Sequence, residues 1–102
     1  MAKILITGGA GFIGSQLGYK LSNEGHEIIL LDNLSFGHKD NLIINGKTFG
    51  KFILDDIRDK SLKKHCKGVD YVFHFAGIAP LPNCQEDPYE AVDVNVAGTA
   101  NV

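Results

Sequence analysis

An α/β fold built on an open, doubly wound parallel sheet is what this sequence predicts, and three observations carry the expectation. Short apolar runs alternate with amphipathic stretches, the pattern of parallel strands joined by crossover helices. The runs are too short for helices and too continuously apolar for strands with a wet face, as expected where helices cover both sides of a sheet. The first run ends in a glycine cluster, Gly8-Gly9-Ala10-Gly11, directly before a helical pattern, which is how a strand turns sharply into a crossover helix.

Each element follows in order. Lys3 to Thr7 reads as a buried strand. After the glycine turn, Ile13, Leu17 and Leu21 recur at helical spacing, and Gly25 stands where a C-terminal cap glycine belongs. Gly18 inside that helix costs about 1 kcal/mol relative to alanine, so the helix either packs very closely there or tolerates the residue. Glu27 to Leu31 is a second strand. From Asn33 to Gly50 the one apolar run is Leu42 to Ile44, which predicts a connection holding at most a short helix. Phe52 to Leu54 makes a third strand, Asp59 is placed to cap a short helix through Cys66, and Asp70 to Phe75 makes a fourth strand entered through Gly68. Pro80, Pro82 and Pro88 predict a loop before a final helix that starts at Pro88 or Tyr89 and runs to Val102. No internal repeat or low-complexity linker interrupts the series. The implied strand order is 3-2-1-4, with a ligand crevice at the carboxyl ends of strands 1 and 4.

Composition narrows the function. The chain has 102 residues, 44% of them hydrophobic and 22% charged, which describes one globular domain. Ten Lys plus Arg against twelve Asp plus Glu give a net charge of -2, so the electrostatic drive for nucleic acid or an anionic membrane is missing. Cys66 and Cys84 form neither a disulfide framework nor a zinc pattern. The run Ile4 to Ile6 after Lys3 imitates a secretory signal, but such a core needs about 7 to 15 apolar residues. Nothing approaches the roughly 18 apolar residues of a membrane span, and a cytoplasmic location is expected. Asn33-Leu34-Ser35 matches a glycosylation acceptor, an accident where no secretory route exists.

The strongest chemical signal is the segment Thr7 to Ser15, which holds G-x-G-x-x-G at Gly9, Gly11 and Gly14 and G-x-x-G-x-x-G from Gly8. It leaves a predicted strand and opens a predicted helix. Asp32 follows at the end of the second strand, eighteen positions beyond Gly14. The glycines allow a tight turn and close backbone approach, and the free N–H groups at the helix N-terminus meet a pyrophosphate. Asp32 can accept both ribose hydroxyls. The competing reading, a structural glycine turn with an incidental acid, explains one of these features and not their concurrence. A carboxylate bonds a 2'-hydroxyl and repels a 2'-phosphate, and Asn33-Leu34-Ser35-Phe36-Gly37 supplies no arginine, so NAD is favoured over NADP. His38 and Lys39 keep NADP as the alternative.

Together with Asp56-Ile57-Arg58-Asp59, His74-Phe75-Ala76-Gly77 and Asp93-Val94-Asn95-Val96-Ala97-Gly98-Thr99, these segments resemble the successive signatures of extended short-chain dehydrogenase/reductases. Within that group they are most similar to the NAD-dependent epimerase/dehydratase family, whose enzymes act on nucleotide sugars. The resemblance runs through nearly the whole chain and implies a Rossmann fold. It implies that Gly8, Gly11 and Gly14 shape the phosphate turn and that Phe12 and Ile13 offer backbone N–H groups. Asp32, Asn33, Ser35 and Gly37 would surround the adenosine ribose, and Asp56 and Ile57 would flank the adenine. Phe75, Ala76 and Gly77 would pass beside the cofactor, and Asn95 would hold the nicotinamide-side ribose region or fix a neighbouring strand. Relatives often dimerise through the helix corresponding to Pro88 to Val102; Val92, Val96 and Thr99 form a stripe here, as a core-facing stripe would. Ala79 departs from the family where some epimerases place a cofactor-contacting lysine, and the loop Leu81-Pro82-Asn83-Cys84-Gln85 weakens assignment to any one epimerase.

Other residues read more plainly. His74 lies inside a strand and is expected to be a satisfied structural histidine. Asp56, just past a strand end, suits an adenine amino group, against the alternative of a solvated turn in the acidic group Asp55, Asp56 and Asp59; no metal set is placed by the sequence. Gly46-Lys47-Thr48 copies the end of a P-loop, but Asn41 stands where its first glycine would be. His65 and Cys66, adjacent on a helix, point about 100° apart and read as a surface histidine and a half-buried cysteine.

The family's proton transfer needs a Tyr-x-x-x-Lys pair, and Tyr19, Tyr71 and Tyr89 are followed four residues on by Asn23, Phe75 and Asp93. No catalytic residue is therefore assigned. The expectation is the N-terminal, NAD-binding part of a longer nucleotide-sugar epimerase or dehydratase, with the substrate domain outside this chain and apolar edges exposed. The alternatives are a non-catalytic dinucleotide sensor and an NADP-dependent reductase of the same fold.

Overall fold

The computed structural model describes residues 1–35, 37–44, 46–77 and 81–102. Strand β1 (Lys3–Thr7) lies at the centre of a four-stranded parallel sheet. Helix α1 (Phe12–Asn23) carries the chain back to β2 (Glu27–Asp32), which pairs with β1 from Lys3 opposite Glu27 to Thr7 opposite Leu31. Two short strands, β3 (Ile43–Ile44) and β4 (Lys47–Thr48), precede β5 (Lys51–Leu54) on the outer side of β2. Helix α2 (Leu62–His65) leads to β6 (Tyr71–His74) on the other side of β1.

The sheet order is thus β5-β2-β1-β6. Its neighbours are those expected, but the numbering shifts because β3 and β4 form a separate antiparallel pair. The 3-10 turn at Lys39–Leu42 fits a connection holding at most a short helix, whereas the antiparallel pair was not expected. Gly46 turns it with φ of +76°, a conformation only glycine adopts without strain.

Alternation along a strand sends neighbours to opposite faces, and the core divides accordingly. Ile4, Ile6, Ile28 and Leu30 pack under α1 with Ala10 and Leu42. Leu5, Ile29 and Leu31 point the other way, onto Ile57, Leu62 and Val94. Each such buried Leu or Ile stabilises the fold by roughly 1.5–3 kcal/mol. Gly18 is a packing glycine: a Cβ there would stand 2.9 Å from Leu30 Cδ2 and 3.2 Å from Phe49 Cε2. Phe49, in the connection between β2 and β5, also meets Tyr19 edge-on at 5.6 Å.

Several expectations are corrected. Ile13 is exposed, whereas Leu17 and Leu21 pack against the core as their spacing predicts, beside the buried Gly14, Ser15 and Gly18. Helix α2 is one turn, started by Ser61; Asp59 accepts the Ser61 N–H at 2.9 Å and closes the preceding turn instead of capping the helix. The stretch read as a proline loop holds α3 (Leu81–Glu86), because Pro82 falls in the first turn, where a missing N–H breaks no intrahelical bond. Ala79 and Pro80 lie outside the described residues. The final helix is α4 (Pro88–Val92), a wider i to i+5 stretch at Asp93–Gly98, then α5 (Thr99–Asn101). Ala91, Val94 and Gly98 face inward, whereas Val92, Val96 and Thr99 face outward. At the β6 edge, Tyr71 and Val72 are 62% and 41% exposed. No helix among the described residues is long and apolar enough to cross a membrane.

Candidate functional site

Four parallel strands end on the same side of the sheet, and the chain must leave each strand there in a turn. Those turns diverge between β1 and β6, where the connections run to opposite faces, and a cleft opens at that point. Its volume is about 740 Å³, within the range of cofactor pockets.

The first turn is shaped by backbone contact. Gly8 has φ of +69°, and its missing Cβ would meet the backbone of Phe75 and Ala76 at 2.9 Å. A Cβ on Gly14 would stand 2.3 Å from the Gly8 carbonyl, so α1 begins directly on top of the turn. Gly11 caps the helix with no side chain to satisfy its first N–H groups, and the first helical turn carries no acid. The N–H groups of Phe12, Ile13 and Gly14 therefore point out of the helix start without an intrahelical acceptor, and an anion is the natural complement.

Asp32 ends β2 with only 8% of its surface exposed. Its Oδ2 accepts the Ala10 N–H at 3.0 Å and its Oδ1 accepts the Leu34 N–H at 2.7 Å. The second bond holds Leu34 at φ +65°, a strained value for a branched side chain. A carboxylate has about four lone-pair directions, so two remain for a ligand. Gly37 closes over it: a Cβ there would lie 2.7 Å from Asp32 Oδ2. Asn41 donates to the Ala10 carbonyl at 2.8 Å and fixes the turn from outside, a role no local signal announced.

Beyond β5, Arg58 grips Asp56 through Nε at 3.0 Å and Nη2 at 2.7 Å and reaches Asp93 through Nη1 at 3.0 Å. The guanidinium beside it holds the Asp56 carboxyl down at about 2, and Asp56 and Asp93 in turn raise the Arg58 pKa. Asn33 donates to the same carboxylate at 3.2 Å. Asp55 accepts from Ser61 and from His65. Burial pushes the Asp55 carboxyl up, but the bonds from Ser61, the Asp56 backbone and His65 bring it below its ordinary value. His65 is thus a partner of Asp55 rather than a free surface group.

The cleft brings together most of the residues singled out from sequence. The glycine turn contributes Gly8 and Gly11, and the end of β2 contributes Asp32, Asn33, Ser35 and Gly37. Asp56 and Ile57 line it beyond β5, and Phe75, Ala76 and Gly77 beyond β6. Phe12 and Ile13 turn their side chains to solvent and are not among the residues that line the cleft; Gly14 is buried against Gly8. Asn95 sits just outside, with Oδ1 3.0 Å from where a Cβ on Gly77 would stand.

Leu31, Asp55, Glu86, Asp87, Glu90 and Val94 also line the cleft and were not anticipated. Asp55 belonged to an acidic group that spacing alone could not resolve, and Glu86 and Asp87 lie in or beside the unforeseen helix α3. His74 bonds Thr7 and Thr99 through its two ring nitrogens, and burial lowers its pKa, as a structural histidine requires. No three His, Cys, Asp or Glu side chains among the described residues gather as a metal centre would.

The fold and turns have close counterparts. Residues 4–102 match the family model described as the NAD dependent epimerase/dehydratase family. A Methanocaldococcus jannaschii protein assigned as a UDP-glucose 4-epimerase is 46% identical over 101 residues, 97% of this chain and 32% of that protein. An epimerase of the methanogen Methanothermobacter thermautotrophicus superimposes with a TM-score of 0.91 at 35% identity, over 99% of this chain and 30% of that one. A UDP-glucose 4-epimerase from Stenotrophomonas maltophila, solved with bound NAD and formylated UDP-arabinopyranose, gives 0.85 at 30% identity, over 99% of this chain and 32% of that one. The chain spans about a third of the length of these relatives.

Proposed function

Because the chain belongs to the NAD-dependent epimerase/dehydratase family, we propose that its cleft is the NAD site of a nucleotide-sugar epimerase or dehydratase. The observation that carries this reading is the buried Asp32 carboxylate set across the turn from a helix start that has no acceptor for its first N–H groups. A diphosphate and a diol, about one ribose apart, are what such a pair recognises.

The fit can be stated group by group. Gly8, Gly11 and Gly14 leave the space that a pyrophosphate needs, and the N–H groups of Phe12 and Ile13 meet its charge. Asp32 takes the ribose hydroxyls, while Asn33, Ser35 and Gly37 close around them. Asp56 and Ile57 stand at the base end, and Phe75, Ala76, Gly77 and Asn95 at the opposite end. When bound there, NAD supplies a reversible hydride acceptor for a sugar hydroxyl. This chain's residues bind and orient it and exclude water from its adenosine half. Arg58 is the chain's one arginine and is already committed to Asp56 and Asp93, so no guanidinium remains to balance a 2'-phosphate beside Asp32. That favours NAD over NADP.

The proton-transfer pair and the sugar-binding lobe fall to residues beyond this N-terminal part of the Rossmann domain. The substrate is a nucleotide sugar, and two copies pair through the outward stripe of Val92 and Val96, which are 60% and 63% exposed. The location that goes with this chemistry is the cytoplasm.

Calorimetric titration with NAD and NADP tests the reading, with circular dichroism as the control for folding. The expected result is NAD binding that exceeds NADP binding, with the preference reduced in Asp32→Asn. A folded full-length protein that binds neither nucleotide would overturn it. A full-length protein that binds NAD but leaves a nucleotide sugar unchanged would support the sensor reading instead.

A further inference from the structure

The turn beyond β5 is tied to a part of the chain far away in sequence. Asn101 Nδ2 donates to the carbonyls of Ile57 and Asp59, both at 2.8 Å. Gly98 lets the helix settle against Ile57, since a Cβ there would stand 2.6 Å from Ile57 Cδ1. Asp93 accepts from Arg58 Nη1 at 3.0 Å. Arg58 then spends its other donors on Asp56, with its backbone N–H at 2.9 Å adding to the fork.

These bonds leave one replaceable position on the Asp56 carboxylate. Oδ1 is taken by the Arg58 backbone and Nε, and Oδ2 by Nη2. The remaining bond to Oδ2, from Asn33 at 3.2 Å, is the longest of the four and is exposed. Asp55 carries three bonds, from Ser61 and His65 on Oδ2 and from the Asp56 N–H on Oδ1, and no guanidinium fork sets its direction as Arg58 sets that of Asp56. An incoming N–H donor therefore displaces Asn33 at least cost and meets a carboxylate whose direction is set by the rigid guanidinium fork.

We propose that Arg58, anchored by Asp93 and Asn101, is a positioning residue that presents Asp56 Oδ2 to the exocyclic amine of the base, so that the cleft selects a 6-amino purine over a 6-oxo purine. The inference rests on the proposed placing of the cofactor's base at Asp56 and Ile57. A 6-oxo group brings a second acceptor to the carboxylate and leaves both unpaired, and sites built around such a bond reject the analogue strongly.

The test is titration of the full-length protein with NAD and with nicotinamide hypoxanthine dinucleotide, for the wild type and for Arg58→Lys, Asp93→Asn and Asn101→Ala. The wild type should favour NAD by about tenfold. Arg58→Lys keeps the charge and loses the fork, and the preference should fall toward one. Asp93→Asn and Asn101→Ala, both at exposed positions, should lower it about threefold and decide the matter should Arg58→Lys fail to fold. A merely structural role weakens both nucleotides equally, so an unchanged ratio in folded variants overturns the inference. Equal binding of the two by the wild type does so as well, while binding of neither by the folded full-length protein overturns this inference together with the NAD reading beneath it.

Discussion

Nδ1 of His74 lies 2.6 Å from Oγ1 of Thr7, and the neighbouring bonds decide which of them carries the proton. The Thr7 hydroxyl already accepts the N–H groups of Phe75 at 3.1 Å and Ala76 at 3.3 Å, so its own proton goes to Nδ1. At the other side of the ring the Thr99 hydroxyl donates to the Asn95 carbonyl at 2.7 Å and must accept from Nε2 at 2.9 Å. The network thus assigns His74 as the neutral Nε2–H tautomer and joins β1, β6 and the C-terminal helix through one ring.

Acid should loosen this joint. Burial lowers the His74 pKa below 6.5, and a second ring proton would face a hydroxyl that has no free lone pair. The unfolded chain binds that proton more readily, so stability present above pH 6.5 is lost as the pH falls below it. Urea unfolding at pH 7.5 and pH 5 should show a larger loss for the wild type than for His74→Gln. At pH 7.5 the variant itself should be less stable by about 1–2 kcal/mol for its missing bonds. Equal pH dependence in the two proteins would contradict the assigned protonation.

A second acid transition belongs to Asp56. Its carboxyl sits at about 2 against an ordinary 3.8, so its contribution is full above 3.8 and disappears as the pH falls to about 2. The pair is 26% and 31% exposed, and solvent screening reduces the contribution to about 1–2 kcal/mol. Asp56→Asn should remove that much stability at pH 7 and flatten the unfolding free energy between pH 4 and pH 2 relative to the wild type. A variant whose curve runs parallel to the wild type over that interval would refute the assignment.

The contrast between these two networks shows what a linear reading can reach. Lys3 to Thr7, the glycine turn and Asp32 were legible because hydrophobic runs, φ-permissive glycines and a strand-end acid act within a few residues of themselves. His74 was legible as structural from its strand position alone, though its partners were not. Arg58 to Asp93 and Asn101 to Ile57 span 35 and 44 positions, and no periodicity announces such pairs. Helix α3 was missed because Pro82 was weighed as a breaker, when a proline in a first turn is neutral. Phe49 was missed because a single aromatic in a polar stretch carries no pattern; its role is set by the gap that Gly18 leaves.

Asp32 should prove structural as well as a ligand. Its two oxygens hold the N–H groups of Ala10 and Leu34 in a buried setting, and Asp32→Ala orphans both. A cost of about 2–4 kcal/mol is expected, since each unsatisfied buried donor costs roughly 1–3 kcal/mol. Asp32→Asn keeps one acceptor and should lose about half as much. Thermal melts of the two variants check the order. The same order makes Asn the informative change for cofactor selection, because it removes the charge that opposes a 2'-phosphate while sparing much of the turn. An alanine variant as stable as the asparagine variant would mean that water replaces both bonds.

Gly14 and Gly18 stand four residues apart on the inner side of α1, and the same change to alanine should have unlike effects. In an exposed helix either substitution would gain about 1 kcal/mol from backbone entropy. At Gly18 the new methyl meets the ends of two side chains, Leu30 at 2.9 Å and Phe49 at 3.2 Å, which can shift by a few tenths of an ångström, so the gain and the crowding should cancel to within about 1 kcal/mol. At Gly14 the methyl would meet the Gly8 carbonyl at 2.3 Å, with Gly8 C and Gly9 Cα just beyond. These are backbone atoms of a turn whose Gly8 oxygen already accepts the Gly11 N–H at 3.1 Å. Relief requires opening the turn, and a loss of about 3 kcal/mol is expected, together with loss of the helix-start geometry on which anion binding depends. Urea unfolding of both variants, followed by NAD titration of whichever remain folded, measures the difference. Equal stabilities for the two variants would show that the turn yields as easily as a side chain does, and the close packing of α1 onto Gly8 would then not be what shapes the phosphate end of the cleft.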